Sequence, residues 1–348
     1  MEMTMRTHPV GKLDELPRTQ LMSGETPIED MPNLSGQIGS ARLLVKRDDL
    51  TGLAFGGNKV RQLEFYIGDA KAKGADTIII TGAIQSNFVR MATAAARKTG
   101  MTCHVQLEDR VPKNDPTYRS SGNVLLDKIL GATIHYYPRG EDEAGADAHL
   151  DEIAEQLGDK DQKPYIIHLG IGNPPLGTLG YVDCAREMLA QCAEQGIDLD
   201  EVVIASGSGH THSGLLFGLR ALGWKGRVTG VCVRRNAKDQ RVRVSSHCVK
   251  IADMLSMESV VEAADIILTD EYLGAGYGRM HERMFDAMKL AAEAEGLLTD
   301  PVYTAKTMCA FIERAKSAEA GQSLIFVHTG GTPALFAYEK ELSAAFGA

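Results

Sequence analysis

The chain has 348 residues, 44% of them hydrophobic and 24% charged, with a formal net charge of −9. That length exceeds what one core usually serves, so one large or two modest globular units are expected. The negative balance argues against a nucleic-acid partner, because phosphate binding needs a positive face, and no apolar run reaches the roughly 20 residues of a membrane span. Residues 1–20 contain no apolar stretch of the signal-peptide kind. The six cysteines are scattered without a C-x-x-C pair, which suits a reducing cytoplasm and offers no zinc site. A cytoplasmic location is the expectation.

In chain order, residues 1–38 read as an irregular arm, interrupted by Pro9, Pro17, Pro27 and Pro32, with one short helix at most. A strand-like run at 41–46 leads into Thr51-Gly52-Leu53-Ala54-Phe55-Gly56-Gly57-Asn58-Lys59. Helical spacing of apolar residues begins at Val60. From there the pattern alternates. Apolar, β-branched runs fall at 76–81, 102–106, 133–137, 165–169, 202–205, 228–233, 266–268 and 324–327. Helical patterns fall at 87–99, 122–130, 147–157, 179–195, 213–222, 281–294, 304–315 and 332–342. Alternation of this kind predicts parallel sheets with crossover helices. The strands are too many for one sheet of ordinary size, so two α/β units are expected. The acidic, glycine-containing stretch 141–146 reads as an exposed loop. No tandem repeat or low-complexity segment is present.

Ligands of open parallel sheets gather where strands end. Lys59 lies after the first strand, near a helix N-terminus, behind two glycines that let the backbone pass close to a flat or anionic group. A helix N-terminus lowers a lysine's pKa and favours the neutral amine. Such an amine forms Schiff bases, and pyridoxal phosphate (PLP) is the commonest aldehyde partner. A lysine after a glycine turn is most often simply solvated, so the other strand ends carry weight. Ser86 and Asn87, after the 76–81 run, suit a helix N-cap whose free N–H groups can hold a carboxylate. Gly207, Ser208, Gly209 and Thr211, after the 202–205 run, form a small-residue loop feeding a helix. It suits a phosphate cradle, although it is neither a Walker A motif nor G-x-G-x-x-G. Further turns carry Tyr277 and Tyr303, residue types that more often pack than exchange protons.

Together these stretches resemble the PLP-dependent D-cysteine desulfhydrase / 1-aminocyclopropane-1-carboxylate deaminase family, of the tryptophan-synthase-β-like class (fold type II). The resemblance runs from about Pro27 to Tyr338. It is carried by Lys46-Arg47-Asp48-Asp49, Gly56-Gly57-Asn58-Lys59, Gly82-Ala83-Ile84-Gln85-Ser86-Asn87, the 207–214 loop, Asp300-Pro301-Val302-Tyr303 and His328-Thr329-Gly330-Gly331. It implies two open, mostly parallel twisted sheets flanked by helices, with PLP in the cleft between a larger domain (1–62 and 176–348) and a smaller one (63–175). Lys59 would carry the cofactor and act as the Cα base. Asn87 would pack beside the ring, and Ser86 with the N–H groups of its turn would hold the substrate carboxylate. Gly207, Ser208, Gly209 and Thr211 would cradle the phosphate. Tyr277 and Tyr303 match the family's two active-site tyrosines. Thr304 would face the pyridine nitrogen, where the deaminase branch has glutamate, and so favours the eliminating branch. Homodimers are usual in the family.

Departures from the family pattern point to a changed substrate pocket. Phe88 stands where desulfhydrases usually have histidine, and Gln62 where a second lysine is common. Arg279 follows Tyr277-Gly278 and could bind an anionic group bidentately, although an arginine there is more often solvated. The expected activity is a carbon–sulfur lyase of desulfhydrase or L-cysteate sulfo-lyase type, acting on a small amino acid. The alternatives are a ring-opening deaminase or other amino-acid ammonia-lyase, and a non-catalytic protein that binds an amino acid or PLP.

Overall fold

The computed structural model describes residues 9–39 and 41–347, so the first eight residues of the expected arm lie outside the described ones. The strands are β1 (Ile28–Asp30), β2 (Arg42–Lys46), β3 (Thr77–Ala83), β4 (Thr102–Glu108), β5 (Thr133–Tyr137), β6 (Pro164–Ile167), β7 (Glu201–Ser206), β8 (Arg227–Cys232), β9 (Ile267–Thr269) and β10 (Ser323–Val327). The helices are α1 (Pro32–Ile38), α2 (Lys59–Ala72), α3 (Asn87–Lys98), α4 (Pro116–Ser120), α5 (Gly122–Ile129), α6 (Glu143–Gly158) and α7 (Leu179–Glu194). They continue with α8 (His210–Ala221), α9 (Ala237–Leu255), α10 (Glu282–Glu295), α11 (Thr304–Lys316), α12 (Ala334–Ala337) and α13 (Glu339–Phe346).

Two sheets form: six strands in the order β1-β2-β10-β7-β8-β9, and four in the order β5-β4-β3-β6. Every pairing is parallel except β1 with β2. Both central strands are buried along their whole length, β3 in one sheet and β7 in the other. That burial explains their continuous Ile/Val runs, since helices cover both faces of a parallel sheet. On one face of the larger sheet, Ile204 and Val202 pack with Leu215 of α8, Val182 of α7 and Ile251 of α9. On the other, Val203 and Phe326 pack with Met284 of α10 and Phe311 of α11. All six cysteines are buried and free. No helix among the described residues is long and apolar enough to cross a membrane.

The alternating pattern anticipated nine of these strands within a few residues, and four departures have physical causes. Within the expected irregular arm, β1 pairs antiparallel at the sheet edge, a pairing too short to show periodicity. The 141–146 stretch is not an exposed loop. Asp142 accepts the Gly145 N–H at 2.9 Å as an N-cap, so the acidic residues open α6, as the helix dipole favours. The 332–342 pattern breaks at Tyr338 into α12 and α13. The fourth is α9, whose buried face includes Gln240, Arg243 and His247. Polar residues at core positions mask the apolar period on which a helix assignment depends.

A buried polar network fixes where α2 begins. Arg61 donates to Asp48 (Nε to Oδ2, 3.0 Å) and to Glu187 of α7 (Nη1 to Oε2, 2.8 Å). Lys46, ending β2, donates to Glu187 Oε1 at 2.5 Å, Gln191 Oε1 at 2.7 Å and the Thr26 carbonyl at 2.6 Å. Burial alone would raise the carboxyls of Asp48 and Glu187, but the facing Arg61 and Lys46 cations override it and hold both below their ordinary values of 3.8 and 4.5. The network pins α2 to β2 two residues from Lys59. Glu187→Ala leaves Lys46 and Arg61 short of a counter-charge and should cost about 3–5 kcal/mol in urea unfolding. Lys73→Ala, at an exposed pair with Asp69, should cost less than about 1 kcal/mol. Because both folded-state pKa values are depressed, the network's contribution is complete above the ordinary carboxylate range. It is lost as pH falls through the lowered values.

Candidate active site

The carboxyl ends of β3, β4, β7, β8 and β10 face a cleft of about 1060 Å³, counted out to its mouth. Lys59, first residue of α2, lines it together with Ser86, Asn87, Phe88, Gly207, Ser208, Gly209, Thr211, Tyr277 and Tyr303. Lys59 and Tyr303, 244 positions apart in sequence, therefore meet in one site. Lys59 Nζ has no hydrogen-bond or ion-pair partner among the described residues. It lies 5.0 Å from the centre of the Phe88 ring. Burial lowers its pKa from 10.5 to about 8. The loop before it needs glycine. Gly57 has φ +123°, and a Cβ there would sit 3.1 Å from the Thr329 carbonyl oxygen.

Ser86 caps α3, its Oγ accepting the Val89 N–H at 3.3 Å. The next side chain, Asn87, is oriented from behind. Its Oδ1 accepts from Arg90 Nη1 (3.1 Å) and Asn123 Nδ2 (3.0 Å). Both acceptor positions are thus filled, and the amide N–H₂ remains to donate. Arg90 also donates to the Gly56 carbonyl at 2.9 Å, which ties α3 to the Lys59 loop.

The 207–211 loop opens α8. Gly209, in the left-handed region at φ +91°, is its N-cap, and no side chain caps the helix. The first N–H groups of α8 are therefore available to an anion. A Cβ at Gly209 would lie 3.1 Å from His247 Nδ1. Thr211 Oγ1 accepts from Asn58 Nδ2 at 2.8 Å and Gln62 Nε2 at 2.9 Å. With both lone pairs occupied, its O–H is left to donate. Gln62 thereby reaches the cradle through Thr211.

The Tyr277 and Tyr303 hydroxyls are 2.6 Å apart, with their rings edge to face. Burial raises both phenols, and the Arg110 guanidinium offsets part of that rise. Buried Lys306 donates to the carbonyls of Leu273 (2.8 Å) and Gly276 (2.7 Å), which fixes the loop that carries Tyr277.

Two expected site residues lie elsewhere. Thr304 is fully buried and does not line the cleft. Its Oγ1 donates to Asp300 Oδ1 at 2.8 Å and accepts the Asp300 N–H at 2.6 Å. Thr329 and Gly330 line the cleft instead. Arg279 is exposed and also absent from the lining. Sequence reasoning passed over Glu108, Arg110, Glu143, Arg234 and Arg243, all of which line the cleft. Arg110 and Arg234 each sit two residues past a strand, β4 and β8. The strand-end rule, applied to those two strands as well, would have found them.

The features fit a phosphorylated aldehyde cofactor: an unpaired desolvated amine, an uncapped helix start with a glycine cradle, and a wall of phenols. A model of the pyridoxal-phosphate dependent enzyme family matches residues 19–330. The chain belongs to that family. A D-cysteine desulfhydrase of Klebsiella pneumoniae subsp. pneumoniae is 42% identical over 332 residues, spanning 95% of this chain and 98% of that protein. One from Salmonella paratyphi C is 41% identical over 336 residues, spanning 96% and 100%. Among solved structures, an ACC deaminase homologue superposes with TM-score 0.85 at 33% identity, covering 99% of this chain and 100% of that one. An O-ureido-L-serine synthase, at TM-score 0.64 and 20% identity over 95% and 96%, shares the fold. The protein is thus a PLP-dependent enzyme of fold type II related to the D-cysteine desulfhydrases.

Lys59 should be neutral for the most part only above about pH 8. The rate at which stripped protein takes up PLP, followed by the growth of visible absorbance, should rise between pH 7 and 9 and level off above the lysine pKa. A rate independent of pH over that range would contradict the assignment.

Proposed function

We propose that the protein is a carbon–sulfur lyase. It eliminates a sulfur substituent from the β-carbon of a three-carbon amino acid, leaving pyruvate and ammonia. For cysteine the balance is cysteine plus water giving pyruvate, ammonium and hydrogen sulfide. No oxidant or reductant enters. The observation that carries the reading is the meeting, in one cleft, of the unpaired Lys59 amine, the α3 N-terminus at Ser86 and the hydrogen-bonded Tyr277–Tyr303 pair. The desulfhydrase relatives at 41% and 42% identity support it.

PLP, when bound, supplies an electron sink that makes the amino acid's Cα–H acidic. The remaining work falls to the chain. The free N–H groups of the 207–211 loop and the Thr211 hydroxyl would hold the cofactor's phosphate, and the Asn87 amide would donate to the cofactor. Thr329, which lines the cleft, would supply a neutral hydroxyl in the role expected of Thr304. Ser86 and the start of α3 orient the substrate carboxylate. The Lys59 amine, kept neutral by burial, takes the Cα proton. The Tyr277–Tyr303 pair delivers a proton toward the departing group, and Phe88 excludes water beside Lys59.

PLP-loaded protein should release pyruvate and ammonia in step with sulfide or sulfite when given cysteine or cysteate of either hand. Tyr303→Phe should lower turnover about 100-fold or more while the visible band persists. Absence of pyruvate from all four compounds would overturn the proposal. The solved ACC deaminase homologue makes ring opening the second reading. Release of 2-oxobutyrate from 1-aminocyclopropane-1-carboxylate, without pyruvate from any sulfur amino acid, would establish it instead.

A further inference from the structure

Tyr277 stands in a stretch that its own sequence leaves loose. No strand or helix carries it between β9 and α10. Gly274, Gly276 and Gly278 around it all lie in the left-handed region, at φ +59°, +120° and +64°. Glycine reaches such angles without strain, but it gives up more conformational freedom than any other residue when it is fixed. Yet the Tyr277 hydroxyl sits 2.6 Å from that of Tyr303. Tyr303 itself is placed just before α11, its backbone N–H donating to Asp300 Oδ2 at 3.1 Å. Holding the two hydroxyls together therefore needs anchors on the Tyr277 side.

Two side chains supply them, one on each side of Tyr277. Lys306, three residues past Tyr303, binds the Gly276 carbonyl that precedes Tyr277, along with that of Leu273. Tyr338 takes the Gly278 carbonyl that follows Tyr277, donating its hydroxyl at 3.1 Å. The Tyr338 side chain is buried, and a Cβ at Gly278 would lie 2.7 Å from its hydroxyl. Its ring meets the Tyr118 ring edge to face at 5.4 Å, and Lys113 Nζ lies 4.5 Å from its centre. These contacts fix the ring without using the hydroxyl. Tyr338 is also the residue at which the expected 332–342 helix breaks, and its side chain does not cap α13. The hydroxyl serves the Tyr277 loop, 60 positions upstream, and not its own helix.

We infer that Tyr338 is a positioning residue for proton transfer: through the Gly278 carbonyl it keeps Tyr277 in hydrogen-bond register with Tyr303. Tyr338 does not line the cleft, so it acts through Tyr277 and not on the ligand. This inference rests on the elimination reading, in which the tyrosine pair delivers a proton toward the departing group. Groups that exchange protons with a substrate tolerate little misplacement, and an error of about 1 Å can cost about 100-fold in rate. Tyr338→Phe removes the hydroxyl and keeps the ring contacts, so the loop gains slack without a cavity opening beneath it.

The test uses PLP-loaded protein and whichever of the cysteine and cysteate enantiomers the wild type turns over. Tyr338→Phe should lower kcat for pyruvate release about 10-fold. Its KM and its PLP dissociation constant should stay within about 2-fold of wild type. A double-mutant cycle separates positioning from general loosening of the fold. Tyr277→Phe combined with Tyr338→Phe should be no slower than Tyr277→Phe alone, because without the Tyr277 hydroxyl Tyr338 has nothing left to position. A kcat for Tyr338→Phe within about 2-fold of wild type, a loss of PLP affinity as large as the loss of rate, or a further slowing of about 10-fold in the double variant would overturn the role of Tyr338 and leave the elimination reading standing. A wild type that releases no pyruvate from any of the four compounds, with the visible band intact, would overturn both.

Discussion

A half-buried lysine without a counter-charge is the constraint on which the site depends. Among the described residues Lys59 has no carboxylate paired with it; the Phe88 ring and the polar lining of the cleft surround it. Burial alone lowers its pKa to about 8, where an amine is both a usable nucleophile and a usable base. Such a residue destabilises the fold locally, and the structure offsets this close by. The Arg61–Asp48–Glu187–Lys46 network anchors the same helix two residues further on. Within that network every buried cation has a paired carboxylate. Within the cleft, Lys59 has none among the described residues.

The other site groups are oriented from behind in the same manner. Arg90 and Asn123 occupy the acceptor of Asn87, and Asn58 and Gln62 occupy that of Thr211. Lys306 holds the loop that carries Tyr277. In each case a buried polar group fills one side of a cleft residue, or fixes the loop that carries it, and leaves the other side free. This supporting layer explains why α2 and α3 carry Gln62 and Arg90 at core positions.

Much of this was legible in the sequence because it follows from local rules. Strand–helix alternation gave two parallel sheets, and strand ends led to Lys59, Ser86, Asn87 and the 207–211 loop. What escaped were features set by tertiary context. The period of α9 is hidden because Gln240, Arg243 and His247 face inward. Glu143 looked like part of a solvated acidic loop because its three arginine partners lie about ninety to a hundred positions away. For Thr304, sequence position suggested a ligand contact, whereas its hydroxyl is committed to Asp300 four residues earlier. Arg279 neighbours a tyrosine of the site in sequence, but the turn at Gly278 leaves it outside.

The central claim is that Lys59 carries the cofactor. Borohydride reduction of PLP-loaded protein, followed by proteolysis and mass spectrometry, tests it directly, because reduction makes the lysine–cofactor bond permanent. The account predicts the phosphopyridoxyl mass on the peptide containing Lys59 and on no other lysine peptide. Label on Lys306, the other buried lysine with a pKa lowered to about 8, or on Lys46, would contradict it.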